Sequence, residues 1–391
     1  MLEIMLTKKG SKRGAVQLQK AFSGQNTLGL LTGTGNLYMR GAGTAGLGTG
    51  TSDNVTGHWA LSNTGVADVW NHSIATLIQK KDGTWWYTGN NGFTGNSTTA
   101  SYGWMDTTSR FAAIAGKTVK KVAFHYRYVV VLTTDGLLYG MGYNNTGNLG
   151  TGNALAVTTL TQLTGFGTDV VDIFMDVNEQ TFYTLSSDGT LKGSGSSQYY
   201  QLGNTNTQNL SPITVTTGVL RMWTAYNGFF VLKADGLYAR GRTFSGQLGN
   251  NVAGAASAYQ TTLVKITTPT NVIPDEMWSG TYQTHLRYNG QIYFTGAQGN
   301  SQGANTGVSP WNSQQRVFNA LPAGSVPTGA MKPAVDGGGE LVKTYNSYSQ
   351  MYMVYNDLLY GCGTYTSTYD LLPGLTSNQL GLALLDLTGV T

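Results

Sequence analysis

Charge is scarce in this chain. Asp, Glu, Lys and Arg make up 11% of its 391 residues, where about a quarter is ordinary for a globular protein. What charge there is sits unevenly. Lys8, Lys9, Lys12, Arg13 and Lys20 stand against Glu3 within residues 1–20, which accounts for the whole formal net charge of +4. The remainder is neutral, and that argues against the basic stripe of a nucleic-acid groove. A single cysteine, Cys362, excludes an internal disulfide and a Cys-rich metal site. The four histidines, His58, His72, His125 and His285, are dispersed, with no H-E-x-x-H and no paired spacing. No metal, cofactor or catalytic residue is therefore expected. No apolar run reaches the roughly 18 residues of a membrane span. Residues 1–20 lack the apolar core and small-residue cleavage site of a secretory leader.

What is present is glycine, 54 residues of it, with abundant Thr, Asn and Ser. That is the composition of short strands joined by many tight turns. With 40% hydrophobic residues, the chain has enough apolar side chains for a large core. One stretch shows the organisation. Tyr128 to Leu132 is a β-branched apolar run, Asp135-Gly136 is a hairpin signal of the primed-turn kind, and Leu137-Leu138-Tyr139 leads to Gly142. The same unit recurs, and its marker glycines are Gly41, Gly89, Gly142, Gly195, Gly241, Gly296 and Gly363, with separations of 48, 53, 53, 46, 55 and 67. A period near 50 made from strands alone indicates propeller blades. The long last interval contains an inserted loop at 321–340, rich in Pro and Gly.

Several features that look like sites reduce to this repeat. Gly41-Ala42-Gly43-Thr44-Ala45-Gly46 matches a dinucleotide fingerprint, but no helix pattern follows it. Asp82, Asp135, Asp188 and Asp235 form an apparent ring of carboxylates that hairpin-turn chemistry explains. Leu47, Leu149, Leu202 and Leu248 recur in the glycine loops as plugs expected to pack under a neighbouring blade. Trp70, Trp223 and Trp278 fall near equivalent strand positions, as blade packing would place them.

The pattern Asp-Gly-x-Leu-Tyr, then Gly-x-Asn, then Gly-Gln-Leu-Gly resembles the repeat of the regulator of chromosome condensation family. It is clearest at Asp135 to Gly150, Asp188 to Gly203 and Asp235 to Gly249. The resemblance implies an all-β, seven-bladed β-propeller of four-stranded antiparallel blades over residues 16–391, preceded by a basic arm at 1–15. The chain departs from the family pattern in places. Only His72 fits the strand histidine of the family, and the second, sixth and seventh copies lose the Gly-Gln-Leu-Gly loop in place. No guanine-nucleotide-exchange or chromatin-binding motif matches residue by residue. Because the chain stops at a point equivalent to the start of a repeat, the ring is expected to close by pairing the C-terminal strand near Leu384 with strands of the first repeat.

Function, on this reading, lies where the repeats differ. Lys8, Lys9, Lys12 and Arg13 are candidates for docking on a partner. Phe93, Trp104, Tyr199, Tyr200, Phe244 and Trp311 fall in or beside loops and are candidates for a binding surface. Low charge and a Gly/Thr/Asn/Ser-rich surface resemble virion surface and tail-fibre proteins. The expectation is a non-enzymatic structural or attachment protein of a bacteriophage particle. It would contact other virion proteins, with a host-surface glycan or receptor as a further partner. The alternative is a soluble propeller that works as an inhibitor or adhesin, in the cytoplasm or released without a signal peptide.

Overall fold

The unit of the fold is a hairpin with both strands buried. Tyr128–Thr133 runs antiparallel to Leu138–Gly142 in unbroken register, Tyr128 opposite Gly142 and Leu132 opposite Leu138. Both strands are apolar throughout rather than alternating, because each face of the hairpin is covered. The turn differs from the primed form expected of Asp-Gly. Gly136 N–H donates to Thr133 O, Thr133 N–H donates to Leu137 O, and of these residues only Gly136 has positive φ, at 80°. This is a three-residue turn closed by a glycine bulge. Asp135 is there for its carboxylate, which accepts from the Thr133 hydroxyl and from Lys117 Nζ. Asp82 and Asp188 likewise accept from the backbone and hydroxyl of Thr84 and Thr190.

The computed structural model describes residues 17–24, 26–72, 74–94, 100–176, 180–203, 205–251, 259–267, 269, 273–279, 283–289, 291–296, 315–320, 350–355, 358–363, 373–375 and 379–391. Each of the first six hairpins forms the middle of a four-stranded antiparallel blade whose strands pair in chain order. Blades one to six occupy residues 18–63, 66–106, 119–162, 170–216, 221–265 and 276–320. The first strands of successive blades approach one another and stand innermost. The fourth strands, such as Val157–Gln162, are largely exposed and lie outermost.

Two expectations are corrected here. Seven four-stranded blades were expected from the seven marker glycines. The described residues form six four-stranded blades, and the segment around the seventh marker is a sheet of three strands, Gln350–Tyr355, Leu358–Gly363 and Gln379–Leu384. The marker glycine reports the hairpin and not the strands around it. Before residue 350 the sequence offers only the short apolar pair Leu341-Val342 for an inner strand, and that pair lies outside the described residues.

Ring closure by pairing of terminal strands is the second. The C-terminal strand pairs with Leu358–Gly363 in its own sheet, and blade one is complete from its own four strands. Short connections favour pairing between sequence neighbours, so no strand of the first repeat is left to be completed. Among the described residues, side chains close the seam instead. Leu28, Leu30, Tyr38 and Trp59 pack on Leu359, Leu385 and Val390. Trp59 Nε1 donates to Asp386 O at 3.0 Å, and Tyr38 Oη lies 2.8 Å from Thr391 Oγ1.

The core is distributed over such seams. Each cluster draws on two adjacent sheets: Leu47 with Val69 and Ile78, Leu149 with Phe166 and Phe182, Leu202 with Tyr183 and Phe229, Leu248 with Phe230 and Phe318. The four loop leucines are fully buried, as their recurrence implied, each burial contributing roughly 1.5–3 kcal/mol. Polar anchors complete the docking of loop on blade. Thr76 Oγ1 donates to Gly46 O at 2.7 Å, Ser194 Oγ to Asn148 O at 2.9 Å and Thr295 Oγ1 to Gly246 O at 2.9 Å. In each case the next blade supplies the hydroxyl, which gives part of the Ser and Thr content a structural role.

The turn carboxylates carry a pH signature. The Thr133 hydroxyl, and after it Lys117, hold the Asp135 carboxyl at about 2. A depressed folded value means that its stabilising contribution is present above the ordinary carboxylate range and is lost as pH falls from about 4 to about 2. A carboxyl NMR titration is expected to place the Asp135 midpoint near 2 in the wild type and to move it upward in Thr133→Val.

Candidate binding face

In an up-and-down blade, the connections from first to second strand and from third to fourth emerge on the same face. The loop chemistry of that face follows from the Gly-Gln-Leu-Gly pattern. Gln201 Oε1 accepts from Tyr199 N–H at 2.8 Å, and Gln247 Oε1 accepts from Ser245 N–H at 2.9 Å. The leucine then turns inward, held by Leu202 N–H to Ser197 Oγ in one loop and Leu149 N–H to Asn144 Oδ1 in another. In the loop of Leu202 the two residues before Gln201, Tyr199 and Tyr200, stay half-buried at the loop surface.

At the seam of blades four and five, aromatic side chains from three loops gather on one cation. Arg242 is the last residue of the strand Gly236–Arg242. Its guanidinium carbon lies 5.2 Å from the ring of Tyr199, 5.6 Å from Tyr226 and 5.2 Å from Phe244. Tyr259, which opens the outer strand Tyr259–Lys265, lies 6.5 Å from Tyr199 and 5.1 Å from Tyr200 between ring centroids. Tyr199, Tyr200, Tyr226, Arg242 and Phe244 are half-buried, and Tyr259 is exposed. The turn bearing Tyr226 is fixed from below. Buried Asp176 accepts from Asn227 N–H at 3.0 Å, and Asn227 O accepts from Arg242 N–H at 2.9 Å. Beneath the same seam, burial pushes the Tyr183 phenol well above its ordinary value; the Asp176 carboxylate adds to this and Arg240 opposes it.

The other sequence candidates fall elsewhere. Phe93 is wholly buried between blades two and three, with Tyr87 and Phe124 edge-on at 5.2 and 5.4 Å. It is a core side chain, because the short 3-10 turn Gly92–Thr94 points it inward. Trp104, half-buried on the outer strand of blade two, staples blade one: its indole N–H donates to Ser62 O at 3.0 Å and its ring covers Gly48. Lys8, Lys9, Lys12, Arg13, Trp311 and the loop 321–340 lie outside the described residues. Sequence reasoning missed Arg242, Tyr226 and Tyr259. The available signal was at the residue after the marker glycine, which is Ala42, Tyr143 or Ser196 in sibling loops and Arg242 here.

The histidines are less scattered than their spacing implied. His72 and His125 meet across the seam of blades two and three, ring centroids 3.9 Å apart and nearly perpendicular. Burial, and then the proximity of His125, holds His72 well below the usual imidazole value; burial and the nearby Arg127 do the same to His125. His285 stacks on Trp278 at 5.2 Å. Among the described residues, no group of three His, Cys, Asp or Glu side chains is placed to hold a metal ion.

No protein-family model matches the chain. Solved structures do. Prp20p from Saccharomyces cerevisiae aligns over 95% of this chain and 88% of its own, with a TM-score of 0.72 and 15% identity. Yeast RCC1 (Prp20) bound to Kap60 aligns over 98% and 90%, with a TM-score of 0.73 and 15% identity. Human WBSCR16 aligns over 79% and 83%, at 0.61 and 16%. In fold, the chain is an RCC1-like β-propeller. Prp20p is described by its binding to Gsp1p and histones. At these identities the likeness carries the fold and leaves partners to be argued from this chain's own surface.

Proposed function

We propose that this RCC1-like propeller is a non-enzymatic, protein-binding component of a large assembly, and that the assembly is a bacteriophage particle in which it serves as a capsid or collar decoration or an attachment part. The observation that carries the binding reading is the aromatic cluster around Arg242. Tyr and Arg are the side chains that dominate protein-interface energetics, and here they meet on loops of a rigid scaffold, where the repeats diverge. The low charge, the Gly/Thr/Asn/Ser-rich composition and the basic residues Lys8, Lys9, Lys12 and Arg13 support the particle reading.

The test is a deletion. Removing residues 1–15 is expected to leave the circular dichroism and melting temperature of the purified propeller unchanged. The truncated protein should no longer co-sediment with particles assembled in its presence. Unchanged incorporation would refute docking through the arm, and absence of the full-length protein from purified particles would refute the particle reading. The exposed Tyr259 beside Tyr200 favours a second reading, a soluble binding module, which retains the face and drops the particle.

A further inference from the structure

We infer that the seam of blades four and five recognises a carboxylate-bearing segment of a partner protein, with Arg242 as the receiving cation and Tyr200 as the residue that sets specificity. The inference rests on the protein-binding reading above and gives that face its ligand chemistry.

Tyr200 occupies a glycine position. In the sibling loops it is held by Gly46, Gly147 and Gly246, with φ of 77°, 76° and 76°. Tyr200 sits at φ 63° and keeps the loop's hydrogen bond: Tyr200 N–H donates to Ser197 O as Gly147 N–H does to Asn144 O and Gly246 N–H to Thr243 O. A bulky L-residue in the left-handed region is strained, and such strain concentrates at binding and active sites. The loop folds in its siblings with no side chain at this position. The fourth copy therefore carries strain to place a phenol ring beside Tyr259, next to the Arg242 cluster.

Arg242 defines what the ring is beside. Three aromatic rings engage its cation, yet among the described residues none accepts a hydrogen bond from its guanidinium. A guanidinium offers a planar fork of five N–H donors matched to a carboxylate. Among the described residues no carboxylate pairs with Arg242: residues 196–208 and 243–258 contain no Asp or Glu, Asp176 is buried on Asn227 N–H, and Glu179 of the neighbouring loop lies outside the described residues. The same loops contain no Lys or Arg, so a single cation faces the ligand. One guanidinium suits a monoanionic carboxylate better than a phosphate dianion, and the Tyr-rich surround suits a peptide.

The full chain would be titrated with a capped polyglutamate peptide, a capped polyglutamine peptide of equal length and an oligogalacturonate. The readouts are the arginine Nε–H resonances and the affinity. Polyglutamate should shift one arginine resonance that Arg242→Lys removes, and polyglutamine should shift none. Tyr200→Asn keeps a residue that tolerates this backbone, as Asn227, Asn251 and Asn289 do. It should weaken polyglutamate binding about tenfold without lowering the melting temperature, and Tyr200→Gly should do the same. Equal binding of both peptides, or tighter binding of the acidic sugar, would overturn the assignment to an acidic protein segment. A Tyr200→Asn protein that melts earlier and binds unchanged would show that the ring only supports the fold. Particle incorporation is read separately, so failure of the carboxylate site is distinguishable from failure of the assembly role.

Discussion

Alanine at Gly142 is expected to destabilise the propeller by on the order of 3–5 kcal/mol. Gly142 ends the inner hairpin of blade three at φ 120°, where L side chains rarely sit, and the ladder to the outer strand slips between Gly140 and Gly142. A Cβ there would meet Arg127 O at 2.3 Å and Tyr128 Cα at 2.5 Å. Both are backbone atoms of the partner strand and cannot rotate away. The strand could yield only by breaking the Tyr128 to Gly142 pairing, which opens the blade on the face that bears the loops. Gly116 is the control. It has φ 75°, and a methyl group added there would have nothing within 4 Å, so alanine should cost only about 1–2 kcal/mol of backbone strain. Urea unfolding of the two variants, with equal slopes, separates collision from strain. Similar losses for both would show that positive φ alone explains the marker glycine.

Trp59→Ala is expected to open the ring, with a loss of about 3–5 kcal/mol. Trp59 belongs to blade one, yet its contacts lie across the closing seam. The indole is buried against Leu359, Leu385 and Val390, carries the Arg40 guanidinium at 5.2 Å and donates its N–H to Asp386 O. Among the described residues no strand pairing bridges this seam, so side-chain packing must hold it, and a cavity cannot be compensated by a ladder. Trp59→Phe keeps most of the apolar volume and drops the hydrogen bond, for about 1 kcal/mol. Hydrogen exchange at residues 384–391 is the specific readout. Protection there should collapse in Trp59→Ala while the Tyr128–Thr133 hairpin of blade three stays protected. Uniform loss of protection across all blades would mean that the ring unfolds as one unit and that this seam is no weaker than the rest.

Both predictions concern side chains whose local sequence looks ordinary. Trp59 reads as one aromatic in an outer strand, and only the return of the chain shows what it touches. The same holds for Phe93 and Tyr199. Both are loop aromatics in sequence, but Phe93 is inside a seam and Tyr199 is on the surface. The difference lies in which way a short loop turns, and that is decided by the blade against which the loop packs.

The sequence by itself determined the hairpin, its repetition and the all-β class. Those follow from interactions over a few residues: apolar runs, Asp-Gly turns and glycines where a Cβ would strike backbone. Local chemistry also explained the turn carboxylates and the buried loop leucines. Only the tertiary structure decided how many strands each sheet holds, how the ring closes and which aromatics meet. Among the described residues it replaced a seventh four-stranded blade by a three-stranded sheet and a strand-paired closure by packing around Trp59. It also brought Tyr199, Tyr226 and Phe244 from two blades to Arg242, and Tyr259 to Tyr199 and Tyr200. Contacts between blades join residues roughly a repeat apart, and no local pattern encodes them. They are set by volume, by burial and by the direction in which each loop leaves its sheet.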